Sequence, residues 1–472
     1  MDATMNSDPA TLIPEIALLA SAVLGLLAGA WTPRRRQWRL RVLAALACGV
    51  GLAATAHAAT RPAETVFGTY VLDTATHTVR AIVLVAVLAL IALCHDTVAG
   101  HRRETEFVVL LQLGALGSIA LAGANDLIML FAAFLLASVP FYALAGWVVR
   151  GPATEAALKY YLAGALAGVT TVAGVTLLFG VAGATGYGEV AEGVSRGPAA
   201  VTAVGLTSVL AGLAFKAGAV PAHFWVPDVS DGTPPAVAAA LTTVPKIGAL
   251  AATYRLLDSA IPVDAVDWRL LAAILATASM TLGNLAAFAQ SSVSRLLGYS
   301  TVSQVGYLLM AVTVAGRTPL ARPALLLYLA AYALTNIAAF AVVTTTDGRT
   351  LDSYRGLSRR DPLLAIALVI TLLGLVGTPP TAVFVGKLEI FTAAVDGGYA
   401  WLVAVAALNT LASLFYYLRW IAPAFRPVHG PTPRDRGSTS GWARAVALTT
   451  AALTLPLGLA SGAVLAALGA PG

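Results

Sequence analysis

The chain has 472 residues, of which 58% are hydrophobic and 11% are charged, and its mean hydropathy is +0.81. A soluble domain carries about 25% charged residues, so this composition excludes a soluble globular protein. The formal net charge of +6 comes without a basic stripe interleaved with aromatic residues, and we therefore expect no nucleic-acid binding.

Long apolar runs, separated by short polar breaks, follow one another along the whole chain. The runs are continuously apolar and do not alternate with polar residues, which argues against the strands of a transmembrane barrel. A helix needs about 20 apolar residues to cross a bilayer. We therefore predict an all-α polytopic membrane protein with about fourteen transmembrane helices. The predicted spans are 11–30, 42–58, 78–95, 107–123, 127–149, 157–180, 199–220, 233–255, 270–289, 299–315, 322–344, 362–395 (broken), 400–422 and 443–467.

Arginine is divided unevenly between the loops on the two sides of these spans. The arginine-rich side is cytoplasmic by the positive-inside rule, and an even number of spans then places both termini outside. The bases assigned to the cytoplasmic side are Arg34, Arg35, Arg36, Arg39, Arg41, Arg102, Arg103, Arg150, Arg295, Arg349, Arg355, Arg359, Arg360, Arg426, Arg434 and Arg436.

Lysine is rare, and each of the four lysines lies in or at the edge of an apolar run. Arginine keeps its proton under all relevant conditions, whereas a desolvated lysine can lose it. A base at the middle of the membrane costs about 2.5–3.5 kcal/mol, so such residues usually face a polar interior and have a function. We interpret these lysines as a proton relay: Lys159, Lys216, Lys246 and Lys387.

Two of the lysines lie beside helix-breaking residues. Lys216 precedes Pro221, and Lys387 follows Pro379 and Pro380. Interrupted helices in a bilayer are tolerated where they line an enclosed or hydrated cavity, and paired ones mark the inverted repeats of transporters. We therefore expect Lys216 and Lys387 to be counterparts in two inverted five-helix repeats. The predicted division is 1–106 for three N-terminal helices, 107–255 and 256–422 for the repeats, and 423–472 for the last helix.

His223 and Lys159 each allow two interpretations. His223 lies seven residues after Lys216, on about the same helical face, and histidine titrates near neutral pH. We assign it to the relay, with a satisfied polar group as the alternative. Lys159 lies four residues after Glu155 and is either a relay residue or the partner in an ion pair.

Polar residues near two helix starts are also ambiguous. Asp228 and Asp231 are expected to cap a helix, since capping is the simpler explanation for acids at such a place. The start of the tenth span carries side chains that fit either a water chain or hydrogen bonds between helices: Tyr299, Ser300, Ser303 and Gln304.

Several longer stretches are distinctive, among them EAALKYYLAGA, AGLAFKAGAVPAHFWVPDVSDGTPPAVAAALTTVPK, SVSRLLGYSTVSQVGYLL, YLAAYALTNIAAFAVV, YRGLSRRDP and GTPPTAVFVGKLEIFTAA. They resemble subunit N of the proton-pumping NADH–quinone oxidoreductase, respiratory complex I, over most of the range 105–422. The resemblance implies fourteen helices, two inverted repeats and a proton path along a hydrated axis. It implies that Lys216 and Lys246 form the central relay, that Lys387 is the exit lysine, and that Lys159 and His223 belong to the same axis.

The resemblance also implies a non-redox subunit of a proton-translocating enzyme in a bacterial plasma membrane. Its partners would be other membrane-arm subunits and the lipid bilayer. No cofactor or metal is expected in this chain, whereas NAD, FMN, iron–sulfur clusters and quinone are expected in partner subunits. The two cysteines, Cys48 and Cys94, form no CxxC motif and predict neither a cluster nor a zinc site nor a disulfide framework.

The chain departs from the family pattern in the fifth span. The family usually has a glutamate there that pairs with the central lysine, and this chain has Leu135. Gln304 also stands where a histidine is common. Two alternatives therefore stay open: a subunit of a multisubunit sodium/proton antiporter or membrane-bound hydrogenase, and a structural paralogue that has lost transport.

Overall fold

A computed structural model of the protein describes residues 9–149, 151–427 and 441–471. The bases Arg150, Arg434 and Arg436, which the sequence assigns to the cytoplasmic side, lie outside the described residues. Strands within the described ranges are confined to one hairpin of β1 (Glu64–Val66) and β2 (Tyr70–Leu72), which pair antiparallel. This hairpin is not predicted from the sequence, because strands of three residues leave no periodic pattern.

The first part of the chain contains seven helices, and its fifth span is broken into α6 and α7. Asp73 caps the third helix by accepting a hydrogen bond from the backbone N–H of Thr76 at 2.9 Å. The helices are α1 (Ile13–Trp31), α2 (Trp38–Ala58), α3 (Thr74–Leu93), α4 (His95–Val98), α5 (Glu104–Gly123), α6 (Leu127–Leu136) and α7 (Val139–Ala145).

The middle of the chain contains seven further helices, beginning with one of 32 residues. Most follow apolar runs, and the short amphipathic α9 and α11 lie between longer helices. The helices are α8 (Gly151–Ala182), α9 (Tyr187–Arg196), α10 (Ala199–Ala217), α11 (Trp225–Gly232), α12 (Pro235–Ser259), α13 (Trp268–Phe288) and α14 (Val293–Thr313).

The last part of the chain contains seven more helices and one of three short 3-10 segments. Those segments are Pro9–Leu12, Arg34–Arg36 and Leu351–Tyr354. The helices are α15 (Ala321–Thr346), α16 (Leu357–Arg360), α17 (Pro362–Val376), α18 (Ala382–Asp396), α19 (Ala400–Phe425), α20 (Gly441–Leu459) and α21 (Ser461–Ala467).

Thirteen helical segments among the described residues are long and apolar enough to cross a membrane. The broken pair of α17 and α18 supplies a further span, which the sequence predicts at 362–395. The prediction of an all-α polytopic membrane protein is confirmed, and the helices begin and end within a few residues of most predicted bounds. The agreement follows from the bilayer, which requires a continuous apolar run for each crossing.

Two of the interrupted spans end their first half at a glycine with a left-handed backbone. Gly218 follows α10 with φ +77°, and Gly377 follows α17 with φ +89°. Each closes its helix through hydrogen bonds to carbonyls four or five residues earlier, as helix C-caps do. The last carbonyls of such a helix have no backbone partner within it and are available to other donors.

Helices α12, α14 and α15 form the interior of the molecule, and nearly all their residues are buried. The N-terminal helices join this interior partly through buried charge pairs. Arg80, on α3, is fully buried and donates from Nε and Nη2 to the two carboxylate oxygens of Glu15, at 2.7 Å each. Arg255, on α12, pairs with Asp73 at 2.8 Å. The first pair joins α1 to α3, and the second joins the start of α3 to the interior helix α12.

Candidate functional site

Lys216 lies in the last turn of α10 and is buried, with 1% of its surface exposed. Its ammonium nitrogen donates to the carbonyl oxygen of Ala137 at 3.0 Å and to the hydroxyl of Ser138. It also lies 4.7 Å from the centre of the Phe134 ring. These acceptors lie at the break between α6 and α7. The lysine at the end of α10 therefore binds the break of a different interrupted span.

Lys246 lies on α12 directly after Pro245, and none of its surface is exposed. Its ammonium nitrogen donates to the carbonyl oxygen of Thr301 on α14 at 3.2 Å. It lies 5.9 Å from the centre of the Tyr332 ring. A Cβ atom added at Gly218 would lie 3.6 Å from this nitrogen. Lys246 therefore faces both α14 and the C-terminal end of α10.

Lys387 lies in the second turn of α18 and has 4% of its surface exposed. Its ammonium nitrogen donates to the carbonyl oxygens of Val376, at 2.8 Å, and of Leu375, at 3.3 Å. These are the last two residues of α17, whose carbonyls the helix itself leaves free. The nitrogen also lies 4.0 Å from the centre of the Tyr307 ring.

The three buried lysines share one kind of partner. Each donates to neutral carbonyl or hydroxyl oxygens and lies near an aromatic ring, and none pairs with a carboxylate of the described residues. Two of the acceptor sites are helix C-terminal ends, where aligned peptide dipoles give a partial negative charge. Such sites hold an ammonium group without a counterion.

A row of polar side chains on α14 lies between Lys246 and Lys387. Gln304 donates from Nε2 to the carbonyl oxygen of Leu375 at 2.9 Å, which is an oxygen that Lys387 also uses. Ser300 forms a hydrogen bond of 2.5 Å with the hydroxyl of Tyr417. Ser300 and Gln304 therefore bond between helices, as one of the two interpretations predicts, and Gln304 shares an acceptor oxygen with Lys387.

Several tyrosines of this interior were missed in the sequence. The hydroxyl of Tyr328 donates to Oε1 of Gln304, and that of Tyr332 donates to the carbonyl oxygen of Thr242 at 2.9 Å. Asn336 donates to the hydroxyls of Thr242 and Thr243. The spacing of these residues could have identified them in the sequence, because positions 328, 332 and 336 are four apart and share one face of α15.

His223 is half-buried in the segment between α10 and α11, and its Nδ1 has no hydrogen-bond partner among the described residues. The expectation that it shares a helical face with Lys216 is wrong. Helix α10 ends at Ala217, and the left-handed Gly218 turns the backbone away before residue 223. The histidine remains near the interruption, but not through helical periodicity.

Lys159 differs from the other lysines, because half of its side chain is exposed. It pairs with Glu155 at 2.8 Å and with Asp228 at 3.2 Å, and Arg295 pairs with Asp228 at 3.0 Å. Asp228 makes no capping hydrogen bond to α11, so the expectation that it caps a helix is wrong. Its two basic neighbours occupy the carboxylate instead.

These charged residues line an open cavity of about 320 Å³, which we call the mouth cavity. Asp231 lies in the same wall and accepts a hydrogen bond of 2.5 Å from the hydroxyl of Ser292, so it does not cap α11 either. The charged residues that line the mouth cavity are Glu155, Lys159, Asp228, Asp231, Arg295 and Arg349. Both signs of charge at an open polar cavity provide groups that exchange protons with water.

Leu135, which stands where the family pattern has a glutamate, does not face Lys216. It lies in the last turn of α6 with 40% of its surface exposed, and the neighbouring Phe134 lies under the lysine instead. The oxygens at Ala137 and Ser138 occupy the place next to the ammonium group. Within the described residues, no group of three or more His, Cys, Asp or Glu side chains could hold a metal ion.

Comparisons with known proteins place the chain among membrane subunits of one kind. The family described as "NADH:quinone oxidoreductase/Mrp antiporter, TM" matches residues 124–413. The NADH-quinone oxidoreductase subunit N 1 of Streptomyces griseus is 79% identical over 476 residues and is covered over its full length, as is this chain. The corresponding subunit N of a Mycobacterium species is 49% identical, with 97% of each chain covered.

Solved structures show the same fold. A chain of respiratory complex I from Thermus thermophilus, solved with bound aureothin, has a TM-score of 0.83 and 34% identity over 96% of this chain and 99% of that chain. A chain of the Mrp complex from a Dietzia species has a TM-score of 0.85, 24% identity, and coverage of 98% and 96%. The second likeness is one of fold alone.

Proposed function

Because the chain belongs to the family of NADH-quinone oxidoreductase subunit N, as its sequence resemblance predicts, we propose that it translocates protons through its buried lysines. The chain is a multi-pass membrane-arm subunit of a complex I–type enzyme. The proton movement is coupled to quinone reduction in partner subunits. The observation that carries this proposal is the burial of Lys216, Lys246 and Lys387 beside neutral oxygens only.

The chemistry follows from those neighbours. A carboxylate at contact distance would hold the proton on a lysine, because separating the buried ion pair leaves an uncompensated charge. A carbonyl or hydroxyl oxygen stabilises the ammonium form through its dipole and leaves the neutral amine stable as well. Each lysine can therefore accept a proton from one side and release it to the other.

The transfer between lysines uses the polar groups of α14. Lys246 contacts the backbone of Thr301, and Gln304, one turn further along, shares the Leu375 carbonyl with Lys387. The hydroxyl of Ser303 is buried without a hydrogen-bond partner among the described residues, and a buried polar atom of this kind is commonly satisfied by water. Water beside Ser303 would complete the connection from Lys246 to Lys387.

The remaining groups and partners follow from the family. Lys159 and His223 act at the periphery of the path, one at the mouth cavity and the other beside the interruption after α10. Electron transfer, with NAD, FMN, iron–sulfur clusters and quinone, belongs to partner subunits. The arginine-rich loops and the mouth cavity, which includes Arg295 and Arg349, face the cytoplasm, and both termini lie outside.

The test is the proton-to-electron ratio of the parent complex reconstituted in liposomes. With Lys216→Ala or Lys246→Ala, we expect quinone reduction to continue while fewer protons are moved per electron, because the relay is interrupted in this subunit. A ratio equal to that of the wild-type complex in both variants would overturn the proposal and favour a structural role.

A further inference from the structure

The contacts of Ser138 link Lys216 to a second hydroxyl. Ser138 lies at the break between α6 and α7, is 1% exposed, and receives a hydrogen bond from the Lys216 ammonium group. Its own hydroxyl donates to the carbonyl oxygen of Phe134 at 2.5 Å. The hydroxyl of Tyr142, one turn further along α7, interacts with Ser138 as well. Ser138 therefore contacts both the lysine and this tyrosine, and the Lys216 nitrogen lies 5.8 Å from the centre of the Tyr142 ring.

Tyr142 continues toward the mouth cavity through a second tyrosine. Its ring packs edge-on against Tyr160 with the ring centres 4.7 Å apart, and Tyr160 is the residue directly after Lys159. Tyr160 is fully buried and stacks on Trp225 of α11 at 4.3 Å. Lys159 itself lies in the wall of the mouth cavity, so one peptide unit separates that wall from the buried ring.

Both tyrosine hydroxyls lack a hydrogen-bond partner of normal geometry among the described residues. A buried hydroxyl left unsatisfied costs about 1–3 kcal/mol, and such groups in folded proteins usually bind an ordered water. Gly164 makes room for the Tyr142 hydroxyl itself, since a side chain there would overlap it. Two unsatisfied hydroxyls on adjacent rings, between an open polar cavity and a buried lysine, indicate a hydrated passage.

We propose that protons reach Lys216 from the mouth cavity through water at Tyr160 and then through the hydroxyls of Tyr142 and Ser138. Ser138 gives its hydroxyl proton to the neutral amine of Lys216 as it accepts one from Tyr142. Tyr142 takes its proton in turn from water that is continuous with the mouth cavity. Neither hydroxyl changes its net protonation, and the substrate is the aqueous proton. The proposal rests on the proton-translocating function given above and assigns its uptake path.

The experiment uses the whole parent complex in liposomes, with proton uptake and quinone reduction measured together. Tyr142→Phe and Ser138→Ala each remove one oxygen atom, and Ser138→Thr keeps the hydroxyl. Tyr187→Phe and Ser461→Ala are the matched controls, because both residues are buried and lie on α9 and α21, outside the elements that form the passage, and the Tyr187 hydroxyl also lacks a partner among the described residues. Lys216→Ala is measured in parallel.

We expect Tyr142→Phe and Ser138→Ala to lower the proton-to-electron ratio to the value of Lys216→Ala, while Ser138→Thr and both controls keep the wild-type ratio. If Lys216→Ala lowers the ratio and the two hydroxyl variants do not, the passage is wrong and the proton-translocating function stands. If Lys216→Ala itself pumps as the wild type does, the function proposed above fails first.

A measurement on the unmodified complex covers the case in which a variant does not assemble. Hydroxyl radicals generated by X-rays oxidise buried side chains that contact bound water. We expect Tyr160 to be oxidised at least ten times faster than Tyr354, which is equally buried but hydrogen-bonded to Thr346 and Gly348. Equal rates at the two tyrosines would overturn the hydrated passage.

Discussion

The mouth cavity and the buried interior surround their lysines with different oxygen atoms. Lys159, half exposed at the mouth cavity, pairs with the carboxylates of Glu155 and Asp228. Lys216 and Lys387, inside the molecule, have only carbonyl and hydroxyl oxygens as acceptors. Lys159 therefore has fully charged carboxylate partners where water is available. Lys216 and Lys387 have partners with only partial negative charge where water is scarce.

This difference has a physical reason. A surface ion pair is worth about 0–1 kcal/mol and breaks easily, so it does not immobilise a proton. A buried pair is much harder to separate, because either charge alone would be left without compensation. Neutral acceptors at helix ends avoid that obstacle. The missing glutamate at Leu135 is therefore consistent with a working relay, since the helix break next to Lys216 supplies acceptors of its own.

The two interrupted helices that carry lysines also differ from each other. Lys387 follows its interruption and binds the carbonyls of the helix just before it, 11 and 12 residues away. Lys216 precedes its interruption and binds the break between α6 and α7, 78 and 79 residues away. The first arrangement is local, whereas the second couples two helix pairs, so movement of α6 against α10 would change the contacts of Lys216 but not those of Lys387.

Ser138→Asp is the substitution that most directly tests the difference between the mouth cavity and the buried interior. It would place a carboxylate on the buried Lys216 and convert a neutral acceptor into a counterion. A charge-assisted pair stronger by about 1.4 kcal/mol retains the proton about tenfold longer, so we expect proton translocation at least about tenfold slower than in the wild type. The measurement is the initial rate of proton uptake by liposomes. Uptake at the wild-type rate in an assembled complex would contradict the argument.

Asp228→Asn tests the mouth cavity, where a smaller effect is expected. The change removes the carboxylate shared by Lys159 and Arg295, in a place where water replaces it readily. We expect proton uptake to slow by about two- to threefold at low salt and to match the wild type at high salt, because screening already weakens the surface field. An effect as large as that of Ser138→Asp would show that charges matter equally in both regions.

Leu135→Glu tests whether a carboxylate at the position where the family pattern has a glutamate is enough to change the relay. Leu135 has 40% of its surface exposed, and it is the neighbouring Phe134 whose ring lies 4.7 Å from the Lys216 nitrogen, so the new carboxylate would not reach the ammonium group. We expect an unchanged proton-to-electron ratio. A clear change in that ratio would mean that position 135 faces the relay after all.

Asp361→Asn concerns a charge pair outside the relay and should affect stability only. Arg444 donates to both oxygens of Asp361, at 2.7 and 3.1 Å, and this hydrogen bonding lowers the pKa of the carboxyl below its usual value. The stabilisation is therefore fully present above the usual Asp pKa of about 3.9 and is lost as the pH falls through the lower folded-state value. We expect a loss of about 0.5–1 kcal/mol at pH 7 that vanishes in acid, measured by thermal unfolding. A loss of stability that does not depend on pH would show that packing, and not the charge pair, is responsible.

The sequence was sufficient for the spans but not for the partners of the lysines. Apolar runs gave the helices because each crossing of a bilayer requires one, and glycine and proline marked the breaks near Lys216 and Lys387. The break between α6 and α7 was missed inside the predicted span 127–149, although Pro140 lies in the first turn of α7. Backbone carbonyls belong to every residue alike, so no side chain reveals which of them will accept a hydrogen bond from a lysine.

The four lysines were found from their rarity and position, while their neighbours required the fold. Ser138 lies 78 residues from Lys216, and Thr301 lies 55 residues from Lys246. Residues so far apart in the chain meet only through helix packing, which composition and periodicity do not specify. The spacing of Tyr328, Tyr332 and Asn336 is the part of the site that a closer reading of helical faces would have found.

The most direct test of proton release by the buried lysines is Lys246→Arg compared with Lys246→Met in the reconstituted complex. Arginine keeps a positive charge but does not release its proton, and methionine has a similar length without charge. We predict that both variants lose proton translocation to the same extent, with quinone reduction retained. If the arginine variant pumps like the wild type while the methionine variant does not, a fixed charge is sufficient, and a relay by lysine deprotonation is contradicted.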